Sequence, residues 1–75
     1  MKKYKILKTV MLNFYDKEER ADTDYLIHPN EGIHIECDGS TIWLINKYGR
    51  HESITQAHYV EDTESFEEIV EDAKD

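Results

Sequence analysis

The chain has 75 residues, a formal net charge of −8 and a single cysteine, Cys37. This length predicts one domain, residues 1–75, with a stability of about 3–5 kcal/mol. One cysteine excludes a disulfide within the chain and is typical of a reducing compartment. No stretch is long and apolar enough to span a membrane, and none has the form of a cleaved signal peptide, so we predict a cytoplasmic protein.

The N-terminal residues, Tyr4 to Phe14, alternate between apolar and mixed positions, which predicts a β-strand. The same residues also fit an amphipathic helix. We favour the strand because β-branched and aromatic residues are frequent and no helix cap precedes them. A polar loop over residues 16–24 is expected next, followed by a short strand from Tyr25 to His28 and a turn at Pro29.

The clearest local signal is Asp38-Gly39 between two β-rich runs, which predicts a β-hairpin. A two-residue turn places Ile35 opposite Ile42, whereas a three-residue turn places Ile35 opposite Trp43. Both registers remain open at this stage. A slip of one residue would exchange the two faces of the strand.

The second strand of this hairpin includes residues 42–45, which are apolar on both sides. Such a strand is usually central and covered on both faces. Trp43 is therefore expected either in the core or, together with Tyr48, as an exposed anchor for a partner. Tryptophan and tyrosine are enriched at the hot spots of protein interfaces.

The C-terminal part predicts a last strand over residues 51–60 and a helix over residues 63–73. Ser65 and Glu68 form a capping-box pattern, and Asp62 or Thr63 as the cap would start the helix a turn earlier. Four apolar residues then recur at helical spacing: Phe66, Ile69, Val70 and Ala73. The predicted fold class is α+β, a small antiparallel meander of four or five strands, curled or barrel-like, with one acidic C-terminal helix packed on it.

The charge is polarised along the chain. The first ten residues carry +4 from four lysines, and residues 61–75 carry −7 from eight acids and one lysine. Carboxylates three or four apart on a helix have nearly the spacing of phosphates along a nucleic-acid strand, so we expect them to bind a basic groove of another protein. In size and charge alone, the chain resembles small acidic proteins, many of them made by phages, that block nucleic-acid enzymes. The predicted partner-binding residues are Glu64, Glu67, Glu68, Glu71, Asp72, Trp43 and Tyr48.

The function hypothesis is a small acidic protein-binding module, a phage-type inhibitor or accessory factor that engages a nucleic-acid-processing protein. The alternatives are a structural protein that forms a homo-oligomer through its apolar sheet face, and a globular domain without catalytic activity. We predict no enzyme and no cofactor, because the sequence has no recognisable catalytic or phosphate-binding motif. No metal is predicted, since no histidine or cysteine pair has zinc-site spacing. Direct binding of nucleic acid by the acidic face is disfavoured, because phosphate affinity needs cations.

Overall fold

A computed structural model of the chain describes residues 1–70, which form two antiparallel β-sheets. The elements in chain order are β1 (Lys2–Ile6), β2 (Val10–Asp16), β3 (Ala21–Ile27), β4 (His34–Asp38), β5 (Thr41–Asn46), β6 (Gly49–Gln56), a 3₁₀ helix (Ala57–Glu61) and β7 (Phe66–Glu68). Five strands form one sheet in the order β6-β5-β4-β1-β7, and β2 and β3 form a separate hairpin.

The single strand predicted from Tyr4 to Phe14 is two strands that belong to different sheets. β1 ends at Ile6, and β2 begins at Val10 after a short break. Ile6 and Val10 are both buried. The break therefore lets two consecutive apolar segments approach the same core from its two sides.

The hairpin of β4 and β5 turns one residue later than predicted, with Gly39 at φ +65° as the first turn residue. Ile35 consequently lies opposite Leu44, which differs from both registers considered above. Compared with the register predicted for a turn at Asp38-Gly39, the partner of each β4 residue is shifted by two positions along β5. A shift by an even number of residues leaves every side chain on the same face of the sheet. Ile35, Ile42 and Leu44 therefore still point together into the core, where all three are buried.

The core lies between the five-stranded sheet and the β2–β3 hairpin. Its buried apolar residues are Ile6, Val10, Leu12, Ile35, Ile42, Leu44, Val60 and Phe66. Leu12 from the hairpin and Ile35 and Ile42 from the larger sheet are fully buried. These three side chains join the two sheets, so neither sheet has a separate core.

The predicted C-terminal helix is wrong over the described residues, and with it the α+β class. Phe66–Glu68 form a strand that pairs antiparallel with β1. The Ile69 N–H continues this pairing by donating to the Lys3 carbonyl at 2.8 Å. Val70 is 82% exposed, so the predicted apolar stripe does not dock as a helix face. Ala73, the last residue of that stripe, lies outside the described residues.

The residues that predicted a helix cap form a tight turn instead. Asp62 Oδ1 accepts the Glu64 N–H at 3.0 Å, and Asp62 Oδ2 accepts the Ser65 hydroxyl at 2.8 Å. The bond from Ser65 and the backbone bond from Glu64 hold the pKa of Asp62 below its ordinary value of 3.8. An aspartate that can cap a helix can also close a turn that leads into a strand.

Electrostatics also favours the strand over the helix. In a helix, Glu64 and Glu68 would be neighbours of like charge. In the strand, Glu67 lies opposite Lys5 with 3.5 Å between Oε1 and Nζ, and Glu64 lies 3.5 Å from Lys8 Nζ. The basic start and the acidic end of the chain are therefore brought together across β1 and β7.

The polar loop predicted over residues 16–24 is shorter than expected. β3 begins at Ala21, so the loop itself is residues 17–20, and the strand predicted from Tyr25 to His28 begins four residues earlier. Pairing with the seven residues of β2 extends β3 into a polar segment of low β-propensity. The resulting hairpin is the longest ladder among residues 1–70, and it carries the site described below.

Candidate binding edge of the β2–β3 hairpin

The hairpin is fastened to the larger sheet through the backbone of Asn13 on β2. The Asn13 N–H donates to Thr55 Oγ1 at 2.7 Å, and the Asn13 carbonyl accepts the Ser53 hydroxyl at 2.9 Å. Two residues earlier, the Met11 N–H lies 3.4 Å from the Tyr59 hydroxyl. Side chains from β6 and the 3₁₀ helix thus satisfy the edge of β2 that faces away from β3.

Ser53→Ala is expected to lower the free energy of unfolding by about 1–3 kcal/mol, measured by urea denaturation. The buried hydroxyl accepts the Thr55 N–H and donates to the Asn13 carbonyl, so its removal leaves two polar groups without a partner. Thr55→Ser is the matched control, because it keeps the oxygen that accepts the Asn13 N–H. If Ser53→Ala and Thr55→Ser lowered the free energy of unfolding equally, the Ser53 hydroxyl would not be what joins the two sheets.

The same contacts define which backbone groups of β3 face outward. Asn13 points its N–H and carbonyl away from β3, so its cross-strand partner Asp24 belongs to a pair without mutual hydrogen bonds. Asp24 must then point its own N–H and carbonyl away from β2. By the same alternation, Asp22 and Leu26 do so as well.

Within the described part of the chain, this outer edge of β3 is unpaired along its whole length. Within residues 1–70, no strand pairs with β3 except β2, and the only extensive contacts of β3 are with β2. The backbone donors and acceptors of Asp22, Asp24 and Leu26 therefore face solvent. A seven-residue edge of this kind is a template for pairing with another extended chain.

The two faces of β3 differ in chemistry. Asp22, Asp24 and Leu26 lie on the outer face, where Leu26 is 59% exposed opposite Met11. The inner face carries Tyr25, whose ring meets Phe14 edge-to-face with 5.5 Å between centroids. The edge thus presents two acids and one apolar side chain on a single row.

The far end of the hairpin is held by Asp16. Its Oδ1 accepts the N–H groups of Glu18 and Glu19 at 2.8 and 3.2 Å, and its Oδ2 accepts the Tyr25 hydroxyl at 3.1 Å. The backbone bonds from Glu19 and Glu18, followed by the Tyr25 bond, lower the pKa of Asp16. The loop and β3 are therefore fixed to each other, with Arg20 in the left-handed region at φ 58°.

Acid is expected to destabilise the protein through Asp16 and Asp62. Folding lowers the pKa of both carboxyls below 3.8, so their stabilising contribution is complete above that pH and is lost as the pH falls further. The thermal midpoint should fall less between about pH 6 and about pH 2.5 in the double variant Asp16→Asn, Asp62→Asn than in the wild type. An equal fall of the thermal midpoint in the double variant and the wild type would show that Asp16 and Asp62 do not cause the destabilisation by acid.

Beyond Asn13, β2 and β6 part and leave an open groove of about 690 Å³. The groove is bordered by aromatic, apolar and charged residues: Phe14, Tyr15, Lys17, Tyr25, Leu26, Ile27, Trp43, Leu44, Asn46, Arg50, His51 and Glu52. The β5–β6 register points the backbone groups of Arg50 and Glu52 away from β5. The groove is a second place where strand edges are unpaired, but at its closed end Ser53 and Thr55 already occupy the β2 edge.

Trp43, one of the predicted anchors, is half-buried on the face of the five-stranded sheet that points away from the core. The Arg50 guanidinium stacks on its ring with 3.9 Å between Cζ and the centroid. Arg50 Nε also lies 3.7 Å from Glu36 Oε1, and Glu36 is the cross-strand neighbour of Trp43. Arg50 therefore covers the indole ring through a cation–π contact, and Trp43 is held as part of the sheet surface.

The other predicted partner-binding residues are scattered. Tyr48 is 78% exposed at the β5–β6 turn, next to Lys47. Glu64 and Glu67 are paired with lysines of the same chain, and Glu68 lies exposed on β7. Glu71 and Asp72 lie outside the described residues. The row of carboxylates expected on a helix is thus not formed by residues 64–68.

Neither a metal site nor a reactive thiol emerges from the described residues. His34 Nε2 lies 3.1 Å from Glu36 Oε2, but no group of three metal-ligating side chains occurs over residues 1–70. Burial raises the pKa of the Cys37 thiol, and nearby Lys2 only partly opposes this effect. In the same part of the chain, no helix has the length and apolarity needed to cross a membrane.

The chain matches no protein-family model, no curated protein and no solved structure. The candidate site therefore rests on geometry. Sequence reasoning missed Asp22, Asp24 and Leu26, because it assigned most of this segment to a loop. The signal that was available is the alternation of Thr23, Tyr25 and Ile27 with these three residues.

Proposed function

We propose that the protein is a non-catalytic binding module that takes up an extended segment of another protein by strand addition to β3. The observation that carries this proposal is the unpaired outer edge of β3, with backbone donors and acceptors of Asp22, Asp24 and Leu26 facing solvent. Strand addition supplies affinity through main-chain hydrogen bonds and specificity through alternate side chains. A cytoplasmic location is part of the same proposal, since Cys37 is a free thiol.

The edge of β3 supports this role better than the groove between β2 and β6. The groove is closed at one end by hydrogen bonds to Ser53 and Thr55, whereas five of the seven residues of β3 are exposed and its outer edge has no strand partner within residues 1–70. Pairing along β3 requires no separation of packed elements. Natural edge strands are commonly short, covered, distorted or charged. β3 has seven residues, pairs regularly with β2 and carries two aspartates, so its edge stays open to a partner of opposite charge.

The partner is a protein and not a nucleic acid. A ladder of alternating backbone donors and acceptors is matched by another polypeptide in extended form. The net charge of −8 attracts a partner with a basic surface and repels phosphates. This retains the expectation of a basic protein partner without the acidic helix predicted over residues 63–73, none of which is helical over residues 63–70.

The test removes a single outward N–H. Asp24→Pro deletes the central donor of the outer edge while leaving the hydrogen bonds to β2 in place, because proline is tolerated on an edge strand where its nitrogen faces solvent. Asp24→Ala is the matched control, because both variants lack the carboxylate and only the proline variant lacks the N–H. Peptides selected from a displayed library on the wild-type protein should bind Asp24→Ala at least about tenfold more tightly than Asp24→Pro.

Circular dichroism must first show that both variants fold. Selected peptides that bind the two variants equally would contradict strand addition at β3, and a library that yields no binding peptide would also do so.

A further inference from the structure

We infer that the segment bound at β3 carries lysine or arginine at two alternate positions, opposite Asp22 and Asp24, and an apolar residue at the next alternate position, opposite Leu26. This inference rests on the proposed function and specifies its partner. It follows from the order Asp22, Asp24 and Leu26 along one face of an unpaired edge.

The register of an added strand places its side chains directly beside those of β3. Residues opposite each other on neighbouring antiparallel strands have Cβ atoms about 4.5–5.5 Å apart, and side chains of one face recur at every second position. Two alternate positions of the partner thus lie against Asp22 and Asp24, and a third lies against Leu26. If the partner runs antiparallel to β3, its sequence, written from N-terminus to C-terminus, has the pattern apolar-x-basic-x-basic.

Both aspartates are available to a cation. The Asp22 carboxylate makes no hydrogen bond or ion pair within residues 1–70. Asp24 Oδ1 accepts the Asn13 side-chain amide at 2.6 Å, and the second oxygen of this carboxylate makes no hydrogen bond or ion pair within residues 1–70. They differ in this respect from Glu64 and Glu67, which pair with lysines of their own chain.

The hairpin around Asp22 and Asp24 is also negatively charged. Residues 16–27 contain five acids and two bases, so the hairpin carries −3. Two aspartates alone attract any cation, but the row of unpaired backbone groups between them requires an extended polypeptide. The two features together select a basic strand.

A second copy of this chain does not fit the edge. Antiparallel pairing of β3 with itself over all seven residues, about a two-fold axis at Asp24, would place the Asp24 carboxylates of the two chains opposite each other and Asp22 opposite Leu26. A two-fold axis at Thr23 would instead place Asp22 of each chain opposite Asp24 of the other. Like charges directly opposite each other destabilise a strand pair. The aspartates thus also protect the edge from self-association, a common use of charge on edge strands.

Two seven-residue peptides test the inference: Thr-Leu-Thr-Lys-Thr-Lys-Thr and the same sequence with glutamate in place of each lysine. At low ionic strength, the lysine peptide should bind the wild-type protein at least about tenfold more tightly than the glutamate peptide, and this gap should narrow at high salt. The double variant Asp22→Lys, Asp24→Lys should prefer the glutamate peptide. Asp24→Pro should weaken the binding of the lysine peptide further than Asp24→Ala does.

The outcomes separate this inference from the proposed function. If the two peptides bind equally and Asp24→Pro still weakens both, the charge preference is wrong and strand addition stands. If binding is indifferent to Asp24→Pro but is lost on His51→Ala, the peptide lies in the groove, and both proposals are overturned. If neither peptide binds, the charge inference is overturned, while the library selection separately decides strand addition.

Discussion

Leu12→Ala is expected to leave a large part of the protein unfolded at 25 °C. Leu12 has no exposed surface, and it joins the β2–β3 hairpin to the five-stranded sheet. Truncation of a fully buried leucine costs about 2–5 kcal/mol, because apolar contacts are lost and a cavity remains. A domain of this size has only about 3–5 kcal/mol of stability to lose.

The neighbouring Met11→Ala is the control for this prediction. Met11 lies on the opposite face of the same strand and is 47% exposed, so its truncation removes little buried surface. Urea denaturation followed by circular dichroism compares the two variants. A shift of the midpoint that is equally small in both would show that the hairpin does not share a core with the larger sheet.

Phe66→Ala is expected to cost about 3–5 kcal/mol, the typical loss for a buried phenylalanine. Phe66 is 3% exposed, and its ring meets Tyr59 edge-to-face with 5.7 Å between centroids. It is the only buried residue of β7, so its truncation should release this strand from β1. Glu68→Ala, at an exposed position near the end of the same strand, should have little effect on the urea midpoint.

A pair of proline variants separates this strand from a helix. The Ile69–Lys3 bond and the register place the Glu67 N–H toward β1 and the Glu68 N–H away from it. Glu67→Pro should therefore be strongly destabilising, and Glu68→Pro should be tolerated. In the interior of a helix, both proline variants would cost about 3 kcal/mol or more. An equal and large decrease in the free energy of unfolding in both variants would therefore contradict the strand.

The β4–β5 hairpin shows what could be predicted from local sequence. Its turn signal and its alternation located both strands and the face that enters the core. The register could not be predicted, because Asp38-Gly39 and Gly39-Ser40 both provide a glycine able to adopt φ > 0. Because the error was an even number of residues, Ile35 and Leu44 remained on the predicted side.

The C-terminal error arose from information that is distant in the chain. Asp62 and Ser65 favour a cap or a turn equally well, and local spacing made the helix the better fit. The deciding contacts are with β1, where Lys5 lies opposite Glu67 and Lys3 accepts the Ile69 N–H. The polarised charge that suggested a partner thus has a partial explanation inside the fold.

The candidate site could not be predicted because β3 depends on β2. Ala21, Asp22 and Asp24 have low β-propensity, and a polar segment with charges of both signs is typical of a loop. Their extended conformation comes from pairing with a strand whose other edge is fastened by Ser53 and Thr55. The unpaired edge is a property of this assembly and not of its own residues.

Hydrogen exchange at single amides tests strand addition at β3 most directly. With the lysine peptide at saturation, exchange at the N–H groups of Asp22, Asp24 and Leu26 should slow by at least about tenfold, because each becomes hydrogen-bonded to the peptide. Exchange at Tyr15 and Arg50, which border the groove, should not change. The same measurement with a library-selected peptide follows if the lysine peptide gives no protection. New protection only at Tyr15 and Arg50, or no protection at Asp22, Asp24 and Leu26 with either bound peptide, would contradict strand addition at β3.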